Sequence, residues 1–321
     1  MKNKIFLVAG DPNSINSEII YKSWKKLSKT IKKNLFIIGN YNLISKQFKK
    51  LNISKRIIIQ QKSLLNVNSD ELKVIDIPLK FTDPFKVSEK NASKYILQSL
   101  NLAHQLIIKK GGKGIVNCPI DKKLLNKSNK VIGVTEYLAS KCKCKNSEVM
   151  MLHNKKLSVV PLTTHLRVRD ISKNLSQDII LKKIITLNSF YKKLFKKKPN
   201  IGVLGLNPHN GEYRKNSEEL LKIIPAISIL QKKKLKIKGP LVADTTFINN
   251  FKIFDIIVGM YHDQVLIPFK ALFKFDAINI TLGLDYIRVS PDHGPAIDLI
   301  GRNKASYESL SRCIKFLHNL N

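Results

Sequence analysis

Short apolar runs recur along this chain, and most are cut off by a cluster of polar, chemically capable residues. The runs are KIFLVAG, NLFIIGN, LKVIDIPL, KGIVNCP, EVMML, LSVVPL, NIGVLGL, FDIIVGM and AINITLG. Between them lie stretches with apolar residues at helical spacing: residues 17–29, the segment SEKNASKYILQSLNLAHQLIIKK closing at Gly111-Gly112, residues 176–196, and the segment from Ser217. Runs that short and that uniformly apolar read as strands buried on both faces. Their alternation with helical patterns predicts an α/β fold. In sheets of that class ligands sit beyond the carboxyl ends of the strands. With 321 residues, the chain has room for two domains.

Charge is the feature most open to misreading. The formal net charge is +34, which raises the possibility of a nucleic-acid partner. Only seven of the 57 basic residues are arginine, the residue favoured for base readout and bidentate phosphate contacts. The lysines are spread through segments such as KSWKKLSK, KKLFKKKP and QKKKLKIK, which read as solvated helix faces. What remains is a positive field that would draw in small anions. The N-terminal MKNKIFLVAGD reads as a first strand rather than a leader, because Gly10 and Asp11 interrupt its apolar run. No run approaches the ~18 apolar residues that span a membrane, so a cytoplasmic protein is expected. Cys118, Cys142, Cys144 and Cys313 form no C-x-x-C pair and are expected as free thiols.

The strand exits carry the chemistry. LSVVPL is followed by TTHLRVRD, NIGVLGL by NPHNGE, and FDIIVG by MYHDQ. His165, His209 and His262 therefore occupy equivalent places, although spacings of 44 and 53 residues match no short metal motif. Three neutral imidazoles suit Zn²⁺ or a similar divalent ion, with Asn207, Glu212 and Asp263 as partners that could orient them. Asn279, Lys270 and Arg288 offer donors for a phosphate or carboxylate. The chain holds no G-x-G-x-x-G, Walker A, G-x-S-x-G or H-E-x-x-H motif.

Taken together, GDPNSINSE, NCPIDK, GVTEYLA, TTHLRVRDIS, GLNPHNGE, GPLVADTTF, MYHDQ and NITLGLDYIRVSPDHGPA resemble the 4-hydroxythreonine-4-phosphate dehydrogenase family almost end to end. The resemblance implies a two-domain fold like that of isocitrate and isopropylmalate dehydrogenases, with the active site in the interdomain cleft. It places one α/β domain over residues 1–125 plus 280–321, and a second over 126–279 that carries the metal histidines and dimer contacts. It implies a homodimer sharing a divalent ion (zinc, magnesium or cobalt) held by His165, His209 and His262. Substrate contacts carry over to the positions of Val134, Thr135, Lys270, Asn279 and Arg288. Asp244 and Asp263 are candidates to take the hydroxyl proton. His293 and Gly294, in DHGPAIDLIG, resemble the cofactor loop of the isopropylmalate relatives. The reaction so implied is NAD- or NADP-dependent, metal-assisted oxidation of 4-phosphooxy-L-threonine at C3. Decarboxylation then gives 3-amino-2-oxopropyl phosphate, in pyridoxal 5'-phosphate biosynthesis.

Four departures stand out against the family pattern. Val134 replaces a histidine before Thr135. GDPNSINSE stands for GDPAGIGPE, MYHDQV for MYHDQG, and DHGPA for DHGTA. Val134 keeps open a paralogue acting on another phosphorylated hydroxy acid, such as a phosphoerythronate or phosphothreonate. The basic charge keeps open a nucleic-acid-binding protein, against which the excess of lysine over arginine argues.

Overall fold

The computed structural model describes residues 3–54, 56–59, 69–129, 133–142, 147–274 and 276–320. Cys144 lies outside them; Cys118, Cys142 and Cys313 are free thiols. Among the described residues no helix is long and apolar enough to cross a membrane. The chain divides into two compact units, one of residues 1–142 with 284–321 and one of residues 143–283. The divisions fall at 142/143 and 283/284, beside the 125/126 and 279/280 expected from sequence. The segment 126–142 thus belongs to the discontinuous unit, where the helix Val134–Lys141 packs on the helix Glu89–Lys110.

In the discontinuous unit the strands are β1 (Ile5–Val8), β2 (Leu35–Gly39), β3 (Ile57–Ile59), β4 (Leu72–Asp76) and β5 (Gly114–Asn117), with β12 (Arg288–Pro291) returning from the far end of the chain. They lie in the order β3-β4-β2-β1-β5-β12, every adjacent pair parallel. All four residues of β1 are fully buried, as an uninterrupted apolar run in a covered parallel sheet requires. The helix Glu89–Lys110 covers β1, β2 and β5, and the helix Glu308–Asn319 packs on β12, β1 and β5.

The second unit holds β6 (Val149–His153), β7 (Ser158–Pro161), β8 (Ile201–Leu204), β9 (Ile237–Leu241), β10 (Ile256–Gly259) and β11 (Ile278–Leu282). Their order is β11-β6-β7-β10-β8-β9. The four strands β7, β10, β8 and β9 are parallel, whereas β6 runs antiparallel to both β7 and β11. Residues 154–157 explain the reversal, because four residues can close a hairpin but cannot carry a parallel crossover. The helix His262–Phe273 leaves β10 directly and is pinned by Val265, Leu266 and Phe269. These pack with Leu152, Val159, Leu204 and Ile257. Each such burial contributes about 1.5–3 kcal/mol, so the first turn of this helix has little freedom to move. Val265, where the resembling family has glycine, is fully buried in this cluster.

Candidate active site

The carboxyl ends of β7, β10, β8 and β9 lie side by side, and each is followed by a residue able to bind a metal or move a proton. They are His165, His262, His209 and Asp244. Three of the four were singled out as strand exits in the sequence. The fourth strand, β9, escaped because IKGPL contains Gly239-Pro240 and is only partly buried; Asp244 came from the family resemblance instead.

His262 is the first residue of its helix and Asp263 the second. The imidazole Nδ1 lies 2.7 Å from the Asp263 carboxylate. A carboxylate can only accept, so Nδ1 carries the proton and the lone pair resides on Nε2. Metal-binding histidines are characteristically oriented in this way. The rings of His165 and His262 lie 6.0 Å apart, centre to centre, at 39°. His209 faces Asp244 instead, its Nε2 3.8 Å from a carboxylate oxygen. The histidines thus fall into a pair and a separate His–Asp couple. Among the described residues no three His, Cys, Asp or Glu side chains of one chain gather into a metal-holding group. By chemistry, two adjacent imidazoles, one carboxylate-oriented, suit a divalent ion such as zinc.

His209 owes its position to an unusual backbone. Residues 209–213 all have positive φ: His209 49°, Asn210 58°, Gly211 62°, Glu212 50° and Tyr213 53°. A left-handed turn costs an L-residue roughly 1–2 kcal/mol, so the surroundings must hold it. The fully buried Glu219 does much of this, accepting from the backbone N–H groups of Leu206 at 2.7 Å and Asn207 at 2.8 Å. The Asn207 amide donates to Glu218 at 2.7 Å and to Glu219 at 3.0 Å. The Ser172 hydroxyl, then the Asn207 amide, hold the Glu218 carboxyl below the usual carboxylate range. Asn210 donates to the carbonyl of Pro240 at 3.2 Å, tying the turn to β9. Gln264 bridges two strand exits, accepting from the N–H of Met260 and donating to the carbonyl of Gly205, both at 2.7 Å. Asn207 therefore braces the backbone, and Glu212 pairs with Arg214 at 2.6 Å, so neither orients a histidine. Sequence reading missed Glu219 and Gln264.

Lys270 lies on the same helix as His262, about 12 Å further along its axis. Asn279 projects from β11, and its buried Oδ1 has no hydrogen-bond partner. Not every histidine here is functional. His153 bonds Ser158 at 2.8 Å and packs against Phe195, and burial pulls its pKa down to about 4, so it is neutral and structural.

In the discontinuous unit Arg288, from β12, is a buried cation. Its Nε donates to Asn117 at 2.5 Å and its Nη1 to Thr135 at 3.4 Å. Burial pulls the guanidinium pKa down to about 10, still fully charged at neutral pH. Thr135 and Val134 open the helix Val134–Lys141. Sequence reasoning missed Asn117 as the residue that aims Arg288. In the segment after β12, His293 Nδ1 donates to the carbonyl of Gly294 at 3.0 Å, while the buried Nε2 has no partner. The carbonyl of Pro295 accepts from Ile15, so this segment rests on the turn after β1.

That turn, GDPNSINSE, holds its shape without the family's inner glycines, since none of residues 13–17 has a positive φ. Asn13 makes two 2.8 Å bonds with the backbone of Val87. Ser14 donates to the carbonyl of Asp11 at 2.6 Å, and Asn16 to that of Pro119 at 2.8 Å. Gly10 remains indispensable: its φ is +78°, and a Cβ there would lie 2.6 Å from the Pro119 oxygen.

Comparison with known proteins now bears on these residues. Residues 31–317 match the family model described as pyridoxal phosphate biosynthetic protein PdxA. The chain is similar to the 4-hydroxythreonine-4-phosphate dehydrogenase of Aquifex aeolicus, with 36% identity over 100% of this chain and 99% of the relative. The crystal structure of the Klebsiella pneumoniae 4-hydroxythreonine-4-phosphate dehydrogenase superposes with a TM-score of 0.86 at 30% identity, covering 99% of this chain and 98% of that one. Isocitrate dehydrogenase from Methylococcus capsulatus, at 10% identity and a TM-score of 0.51 over 98% of this chain and 84% of its own, shares the fold alone. From the breadth of the family match and the end-to-end identity, the chain belongs to the PdxA family of pyridoxal phosphate biosynthetic proteins.

Proposed function

We propose that this protein is a 4-hydroxythreonine-4-phosphate dehydrogenase, an oxidoreductase of pyridoxal phosphate biosynthesis. Its reaction is the oxidation of 4-phosphooxy-L-threonine at C3 by NAD or NADP, with loss of CO₂ to give 3-amino-2-oxopropyl phosphate. The observation that carries this reading is the row of His165, His262, His209 and Asp244 across the ends of four adjacent parallel strands, in a chain of this family.

His165, His209 and His262 would hold one divalent ion, with His209 coming from a second copy of the chain in a homodimer. When bound, such an ion supplies Lewis-acid polarisation of a substrate oxygen. Asp263 keeps the His262 lone pair on Nε2. Asp244 would receive the proton of the C3 hydroxyl, directly or through water; that its exposed carboxylate lies 3.8 Å from His209 Nε2 supports this reading. Lys270 and Arg288 bind the phosphate and carboxylate of the substrate. Arg288 is pre-aimed by Asn117 and Thr135, so it loses little freedom on binding. Asn279 offers its unpartnered oxygen to a substrate donor. His293 and Gly294 would contact the nicotinamide cofactor, the buried Nε2 of His293 having capacity to spare.

Val134 favours a second reading, in which the substrate is phosphoerythronate or a related phosphorylated hydroxy acid. A panel of such substrates, followed by nicotinamide absorbance with added zinc, magnesium or cobalt, decides between them. Turnover of 4-phosphooxy-L-threonine above the others supports the first. No turnover of it at saturating cofactor and metal overturns it.

A further inference from the structure

At the opposite edge of the second unit's sheet, where β8, β9 and β10 begin, lies a cavity of about 540 Å³. Lys197, Lys198, Lys236 and Lys238 line it, with Asn200 and Asp255. Four of its eight lining residues are lysine, against 50 lysines in a chain of 321, so the concentration exceeds the chain's general basicity about threefold. Asp255 is the one carboxylate among the lining residues, and it is already engaged. It pairs with Lys197 at 2.6 Å and accepts from the backbone N–H of Asn200 at 2.8 Å. Lys198, Lys236 and Lys238 thus line one concavity without a further lining carboxylate to balance them.

The floor of this cavity is fixed. Asn200 donates its side-chain amide to the carbonyl of Ile253 at 2.6 Å, and its own carbonyl accepts from Asp255 at 2.9 Å. The backbone N–H of Ile201 donates to Lys236 at 2.9 Å, binding the two lysine-bearing segments together. Left-handed residues Lys196 and Lys234 turn the chain into these segments. Like charges lining one concave wall repel one another, and a multivalent anion relieves that repulsion. The volume is that of an ordinary small-molecule site rather than a polymer track.

We propose that this cavity binds a small, multiply charged phosphate-bearing anion, through Lys198, Lys236 and Lys238. The strands separating it from His209 and Asp244 are four to five residues long, about 13–17 Å. The site is therefore separate from the candidate active site and does not depend on the activity proposed for it.

Calorimetric titration with inorganic tripolyphosphate at about 0.15 M ionic strength tests this. Saturable binding is expected in the unaltered protein and in Lys270→Ala. In the triple variant Lys198→Glu, Lys236→Glu and Lys238→Glu it should weaken at least about tenfold. A thermal melt confirms that the triple variant is folded; if it melts early, the three Lys→Gln substitutions replace it and the same loss is required. Undiminished binding in the folded triple variant, or no binding in the unaltered protein, overturns the proposal. So does a short single-stranded RNA that uses the same three lysines and binds more tightly than tripolyphosphate, because the ligand is then a polymer.

Discussion

Val134 is the residue at which the proposed substrate can be tested with one side chain. A valine neither donates nor accepts, so a polar substrate group facing it must find another partner. If the substrate is 4-phosphooxy-L-threonine, Val134→His should raise kcat/KM about ten- to a hundredfold, the value of a hydrogen bond to a charged group at roughly 1.5–3 kcal/mol. A fall in kcat/KM for that substrate, alongside wild-type preference for phosphoerythronate, would show a pocket rebuilt for another ligand. Lys73 makes a second prediction at this scale. Its side chain is fully buried, with the ammonium donating to the carbonyls of Lys32 at 2.8 Å and Ser69 at 2.6 Å. Burial lowers its pKa from 10.5 to about 8. Between those values the unfolded chain binds the extra proton, so this residue's contribution to stability rises from pH 8 to pH 10.5 and is flat outside that window. Urea denaturation across the window should show a steeper rise in the wild type than in Lys73→Met, since every other lysine is common to both. Equal slopes would refute the assignment.

At the scale of elements, the left-handed turn at 209–213 and the helix His262–Phe273 position His209 and His262, and both are braced by polar side chains. Gly205 is the tightest point. A Cβ there would lie 2.2 Å from Asn210 Oδ1, and Asn210 is buried and tied to the carbonyl of Pro240, so it cannot swing away. Gly205→Ala should therefore cost about 1–3 kcal/mol of stability and displace His209, lowering turnover more than it raises KM. Unchanged melting and unchanged kcat would contradict this. The neighbouring strands β8 and β10 were legible because their buried residues are uniformly apolar, a pattern that a doubly covered parallel sheet imposes. β9 was not, because one face is only half covered and Gly-Pro reads as a turn. His165, His209 and His262 were legible as strand exits. Their grouping was not, since it depends on β10 lying between β7 and β8, an order that the chain's sequence of elements does not reveal. Glu219 was invisible for a related reason: a fully buried carboxylate looks like any helix glutamate until the backbone N–H groups it receives are in place.

For the whole molecule, the grouping of histidines bears on assembly. Within one chain His165 and His262 are neighbours, His209 sits against Asp244, and no three ligands converge among the described residues. A three-histidine ion shared across a twofold dimer would then take His165 and His262 from one copy and His209 from the other, and the same residues are reused reciprocally at the second site. This arrangement makes a quantitative demand. His209→Ala and His262→Ala should each be folded, inactive and unable to retain a divalent ion against a chelator. Mixed after reversible dissociation, half of the dimers are heterodimers, and each has one site with a full ligand set and one that keeps only His165. Activity should recover to about a quarter of wild type, with metal retention recovering in parallel. His165→Ala mixed with His262→Ala should recover nothing, because one copy supplies both ligands to any given site. Recovery in both mixtures would reassign His165 to the copy that supplies His209. A fully active monomer in light scattering would remove the shared site altogether.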